Sequence, residues 1–99
     1  QILSQQDLET LFSKERDIKI ILRGFSYYGL FKPNGTIKAT WSTGGDKGLY
    51  RIENGQICTR YRALRNGSEK CLKIYHVKGE EYAYVGPDGS VYANLFIKE

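Results

Sequence analysis

Cys58 and Cys71 lie thirteen residues apart, with Asn54-Gly55 just before the first and Asn66-Gly67 between the two. Each Asn-Gly pair is a strong signal for a tight antiparallel hairpin, because both residue types tolerate positive φ. The stretch from Gly48 to Val77 therefore reads as three antiparallel strands that the rest of the chain must cover or extend. Two cysteines with one histidine cannot form a four-ligand zinc site, and they lack the Cys-x-x-Cys redox spacing. A disulfide is the expectation, since closing a loop of this length stabilises a small domain by roughly 3 kcal/mol in the chain-entropy model.

The register of this stretch contains a conflict. With Asn54-Gly55 as a two-residue turn, Ile52 pairs with Ile57, Arg51 with Cys58 and Tyr50 with Thr59. If Asn66-Gly67 were a second such turn, Cys58 would face Tyr75, about 13 Å along the strand from Cys71. No disulfide spans that distance. Direct pairing of the cysteines instead needs Arg62 opposite Gly67 and a four-residue loop from Ala63 to Asn66; a bulge or a longer loop would also serve. Both cysteines share one face by parity, so the disulfide is favoured over the ideal turn.

The 99 residues suit one domain spanning 1–99. The chain has no methionine and starts at Gln1, which leads to the expectation of a processed mature protein or of a trimmed chain. No apolar run approaches the roughly 20 residues needed to span a bilayer. Residues 4–14 form the one expected helix, capped by Ser4 with Asp7 three residues on, and carrying Leu8, Leu11 and Phe12 on one face. Strands are expected over about 17–97. Ile18, Ile20 and Leu22 share one side of the first, and Phe25 to Phe31 follows as the second. Lys32-Pro33-Asn34-Gly35-Thr36 is a three-residue hairpin loop that sets Phe31 opposite Ile37, Gly29 opposite Ala39 and Tyr27 opposite Trp41. Ser42 to Lys47 reads as a flexible glycine-rich loop, without the spacing of a phosphate cradle.

Continuing the register through a Lys78-Gly79 turn pairs Ile74 with Ala83 and Leu72 with Val85. The Gly86-Pro87-Asp88-Gly89-Ser90 hairpin then sets Val85 opposite Val91. One face thus collects Tyr50, Ile52, Ile57, Leu72, Ile74, Ala83, Val85, Val91, Ala93, Leu95 and Ile97. The other collects Arg51, Cys58, Arg60, Arg62, Cys71, Lys73, Tyr75, Tyr82, Tyr84, Tyr92 and Phe96. The fold class that follows is all-β: an antiparallel up-and-down meander of about seven or eight strands, closed into a small barrel or strongly curled, with an N-terminal α-helix on an end or edge.

An N-terminal Leu-Ser-x-x-x-Leu helix, a tyrosine-rich strand ending in Asn-Gly, Trp41, the Gly-x-aromatic-x-Ile element from Gly48 to Ile52, the Cys58 and Cys71 pair around a basic loop, and a final Pro-Asp-Gly hairpin go together. This pattern resembles a family of short exported bacterial proteins known as a domain of unknown function. It departs from that pattern at Tyr50, where the family carries tryptophan. The resemblance implies a lipocalin-like small barrel and a periplasmic or secreted location; it transfers no catalytic residue.

No catalytic constellation is expected. His76 with Glu81 as its cross-strand neighbour is the nearest thing to an acid/base pair, and no activated nucleophile stands beside it. No metal ligand set and no cofactor is expected either. Two binding readings remain. In the first, an exported binding domain holds a small hydrophobic or amphipathic ligand against an interior lined by Trp41, Ile52, Ile57, Leu72, Ile74 and Val85. In the second, a basic and tyrosine-rich face of Arg51, Arg60, Arg62, Lys73, Tyr75, Tyr82 and Tyr84 grips an acidic protein or glycan surface. The net charge of +4 is a mild bias toward anionic partners, and nucleic acid is not expected as one.

Overall fold

Period-two alternation of apolar residues closes on itself here. In a computed structural model, which describes residues 1–98, eight antiparallel strands join in sequence order into a closed barrel. They are β1 (Arg16–Leu22), β2 (Phe25–Phe31), β3 (Thr36–Trp41), β4 (Gly44–Glu53), β5 (Gln56–Tyr61), β6 (Glu69–Lys78), β7 (Glu81–Val85) and β8 (Val91–Ile97). Pairing of Ile18 with Ile97 and Ile20 with Leu95 seals β1 to β8, so no long edge is left open. The inward set of Ile18, Ile20, Phe31, Ile57, Ile74, Leu95 and Ile97 is almost wholly buried and fills the barrel. Close packing of β4 needs a glycine: a Cβ at Gly48 would lie 2.8 Å from the Arg60 carbonyl oxygen and 3.0 Å from the Tyr61 ring.

The first hairpins follow the expected register. Phe31 faces Ile37, Gly29 faces Ala39, Arg51 faces Cys58 and Ile52 faces Ile57. Cys58 stands directly opposite Cys71 and is bonded to it. The Asn66-Gly67 turn gives way accordingly. Leu64–Gly67 forms a short 3-10 turn in which Arg65, Asn66 and Gly67 all have positive φ, at 56°, 55° and 73°. The expected flexible loop at Ser42 to Lys47 is also replaced, because β4 begins at Gly44 and pairs it with Trp41.

The main correction concerns β7. The turn before it is Gly79-Glu80, with Lys78 opposite Glu81, and not Lys78-Gly79. Gly79 has φ of 52°, so glycine occupies the first central position, where a tight hairpin turn can require positive φ. Register irregularities between His76 and Lys78 on β6, and between Tyr84 and Val85 on β7, shift the strand by one residue against both neighbours. A one-residue slip exchanges the faces of a strand. Tyr82 and Tyr84, placed on the outer face by sequence, therefore point inward beside Leu95 and Ala93, at 7% and 5% exposure. Ala83 and Val85, expected inside, take the outer side opposite Tyr75 and Lys73, and Val91 is 60% exposed.

Helix α1 (Gln5–Leu11) is shorter than expected, but its start is the expected capping box, with Ser4 accepting from the Asp7 amide and Asp7 from the Ser4 amide. Leu8 and Phe12 are driven into one end of the barrel, where the Phe12 ring sits 5.5 Å from those of Phe31 and Tyr50. The Gln5 Oε1 accepts from the Gly55 amide, which ties the helix to the β4–β5 turn. The N-terminal segment pairs with the part of β6 that has left β5: the Leu3 amide donates to the Ile74 carbonyl and the His76 amide to the Gln1 carbonyl, each at 2.8 Å. No described helix is long and apolar enough to cross a membrane.

Replacing both cysteines by serine should lower the unfolding free energy by about 3 kcal/mol. Urea denaturation reads this directly, and an unchanged midpoint would show that the crosslink contributes nothing.

Candidate functional site

The end of the barrel opposite the helix is open, and it holds a cavity of ≈160 Å³ lined by Ile20, Leu22, Phe25, Tyr27, Thr59, Tyr61, Leu64, Arg65, Leu72, Tyr84 and Tyr92. The alternation that buries Ile57 also turns Thr59 and Tyr61 inward, and the β7 slip adds Tyr84. The Tyr27 and Tyr61 hydroxyls lie 3.4 Å apart. Burial pushes the phenols of Tyr61, Tyr84 and Tyr27 upward, so they are neutral groups able to donate or accept a hydrogen bond.

Among the described residues, Arg65 is the only charged one lining this cavity. Its Nη2 donates to the Thr59 carbonyl (3.1 Å) and Oγ1 (2.8 Å), and its guanidinium carbon lies 5.3 Å from the centre of the Tyr61 ring. The left-handed backbone at Arg65 costs roughly 1–2 kcal/mol. Hydrogen bonds from a charged donor are worth about 1.5–3 kcal/mol, enough to hold that conformation. The cation is thus kept at the mouth without a carboxylate partner among the lining residues.

Asp46 anchors the loop that carries Arg65. Its Oδ2 accepts from the Ala63 and Leu64 amides, each at 2.9 Å, and its Oδ1 from the Lys47 amide at 2.8 Å. The Leu64 amide foremost, together with those of Ala63 and Lys47 and the charge of Arg62, holds the Asp46 carboxyl below the usual carboxylate range against the opposing effect of desolvation.

The residues singled out by sequence separate into distinct places. Ile57, Leu72 and Ile74 are in the core, Ile52 is partly buried against it, and Trp41 sits at the open end with its ring 5.9 Å from Phe25 and 6.4 Å from Tyr27. Val85 is on the outer side. Of the expected basic face, Arg51 reaches across β5 to a bidentate pairing with Glu69 and lies 3.6 Å from Glu53. Lys73 and Tyr75 are exposed on β6, and Tyr82 and Tyr84 are interior. Arg60 and Arg62 are exposed and line an outer hollow of ≈460 Å³ with Lys32, Lys38, Lys47 and Leu49. His76 faces Tyr82 and stacks on it at 4.5 Å, while its Nε2 lies 2.8 Å from the Gly79 carbonyl; Glu81 pairs with Lys78. Cys58, Cys71 and Glu69 bring potential metal-ligand atoms together, but both sulfurs are spent in the disulfide.

Sequence reasoning missed Arg65, Thr59 and Tyr61. The parity of Thr59 and Tyr61 with Ile57 was a usable signal, whereas the aim of Arg65 depends on a loop conformation that Asn66-Gly67 does not announce. Compared with known proteins, the chain matches no family model, no curated protein and no solved structure.

A carboxyl whose value is depressed on folding gives stability that is complete above its unfolded value, about 3.9, and lost as pH falls through the lower native value. Acidification through this window should therefore release the Ala63 and Leu64 amides to hydrogen exchange. Asp46→Ala should release them already at neutral pH, and continued protection in that variant would show that Asp46 does not hold the loop.

Proposed function

We propose that this chain is an extracytoplasmic binding domain, with a binding and not a catalytic role, for a small amphipathic ligand bearing an anionic head. The observation that carries this reading is a cation, Arg65, held at the mouth of an aromatic cavity with no lining carboxylate to neutralise it. Arginine offers a planar fork of donors that matches a carboxylate. The surrounding tyrosines supply apolar area with neutral hydroxyls around it. The volume of ≈160 Å³ limits the apolar part. Engineered apolar cavities of about 150 Å³ take benzene, so the ligand is a short-chain or single-ring carboxylate and not a long lipid. The disulfide supports an oxidising compartment, and the resemblance to short exported proteins supports a periplasmic or secreted location.

Hexanoate and benzoate, compared with hexanol and benzyl alcohol, test the reading. The carboxylates should stabilise the protein saturably, by about 2.7 kcal/mol at a hundredfold excess over Kd, and change the fluorescence of Trp41, the single tryptophan. Arg65→Gln should remove the preference for the charged member of each pair. Equal responses to acid and alcohol, or no saturable response to either, would refute it.

A further inference from the structure

The outer hollow over β3, β4 and β5 shares one lining residue, the buried Tyr61, with the mouth cavity and differs from it in its charge. Cross-strand register sets Lys38 opposite Lys47, and the amide of Arg62, the residue after β5, donates to the Lys47 carbonyl at 2.8 Å, so three cationic residues stand in one row across β3, β4 and the end of β5. The adjacent row holds Thr36, Leu49 and Arg60. Lys32 lines the same hollow, and no carboxylate does. Like charges directly opposite one another in a sheet are destabilising. The nearest acids, Glu69 beside Arg60 and Asp46 near Arg62, feel the charge of those two cations but accept their hydrogen bonds from Arg51 and from the Lys47, Ala63 and Leu64 amides. Leu49 is 62% exposed among these cations.

We propose that this hollow docks an extended acidic peptide segment that carries an apolar side chain among its carboxylates. Alternate residues of an extended chain are roughly 6.6–6.8 Å apart, the same spacing that separates the two rows of the sheet. A carboxylate over the Lys38, Lys47 and Arg62 row therefore leaves the second residue along over Leu49, with Arg60 beside it. The apolar contact is what favours a peptide over other polyanions. Single-stranded nucleic acid uses exposed aromatic platforms, and the one aromatic lining this hollow, Tyr61, is buried. A bilayer needs a protruding apolar edge, whereas Leu49 lines a concavity.

The test uses a fluorescent peptide alternating glutamate and leucine, read by polarisation on the intact protein. Reversal of Lys38, Lys47 and Arg62 to glutamate should weaken binding at least about tenfold, or 1.4 kcal/mol. The same charge change placed at Lys14, Lys73 and Lys78 should have a far smaller effect. Leu49→Ser should weaken binding without altering its salt dependence, and Lys47→Gln gives a milder loss should the triple variant misfold. Arg65→Gln should leave peptide binding unchanged, which separates this site from the mouth. Equal losses from the two triple variants would reduce the effect to net charge and overturn the proposal. Tighter binding of a single-stranded oligonucleotide, a sulfated glycan or phosphatidylglycerol vesicles would overturn it as well, as would a glutamine–leucine peptide binding as tightly.

Discussion

The direct opposition of Cys58 and Cys71 is the constraint on which the open end of this barrel depends. It sets β5 against β6 and denies Asn66-Gly67 the two-residue turn that those residues favour. The displaced chain is compressed into three successive left-handed residues, Arg65 among them. A covalent choice of register thus becomes a backbone conformation, and the conformation becomes the position of a guanidinium against Thr59 and Tyr61. Asp46 completes the arrangement from β4 by accepting the loop amides that would otherwise need another partner.

Most of the barrel was legible because its hairpins carry their own instructions. Lys32 to Thr36 and Asn54-Gly55 specify turn geometry, and the strands beside them alternate cleanly, so register and face agree. Strand β7 was not legible for a physical reason. Tyr82, Ala83, Tyr84 and Val85 all accept burial, and all four are buried, so the sequence contains no alternation to say which pair faces the core. Only the irregularities on either side decide. Moving the two-residue turn by one residue shifts the pairing by two and keeps the faces, whereas the irregularity between His76 and Lys78 supplies the one-residue slip that turns Tyr82 and Tyr84 inward.

That single slip changed what the functional surfaces are made of. The basic face lost its interior tyrosines, and Arg51 left it for Glu69. The remaining cations fall into two settings with different physics. At the mouth, Arg65 is partly shielded from water, where an ion pair at about 4 Å is worth near 4 kcal/mol at an effective dielectric of 20, against about 1 kcal/mol in water. On the outer sheet Lys38, Lys47 and Arg62 are exposed. Charges there act mainly on encounter rate and specificity, and salt screens them.

The helix that fills one end of the barrel also decides how the interior communicates with solvent. With Leu8 and Phe12 seated at that end and β1 sealed to β8, no ladder of hydrogen bonds has to break for a small molecule to reach the cavity. The cavity is lined at the far end by side chains around hairpin tips, among them Leu22, Phe25, Leu64 and Tyr92. Loop movements of this kind occur in nanoseconds to microseconds, much faster than global unfolding. Exchange with the cavity is therefore a local event, decoupled in time from the opening of the fold.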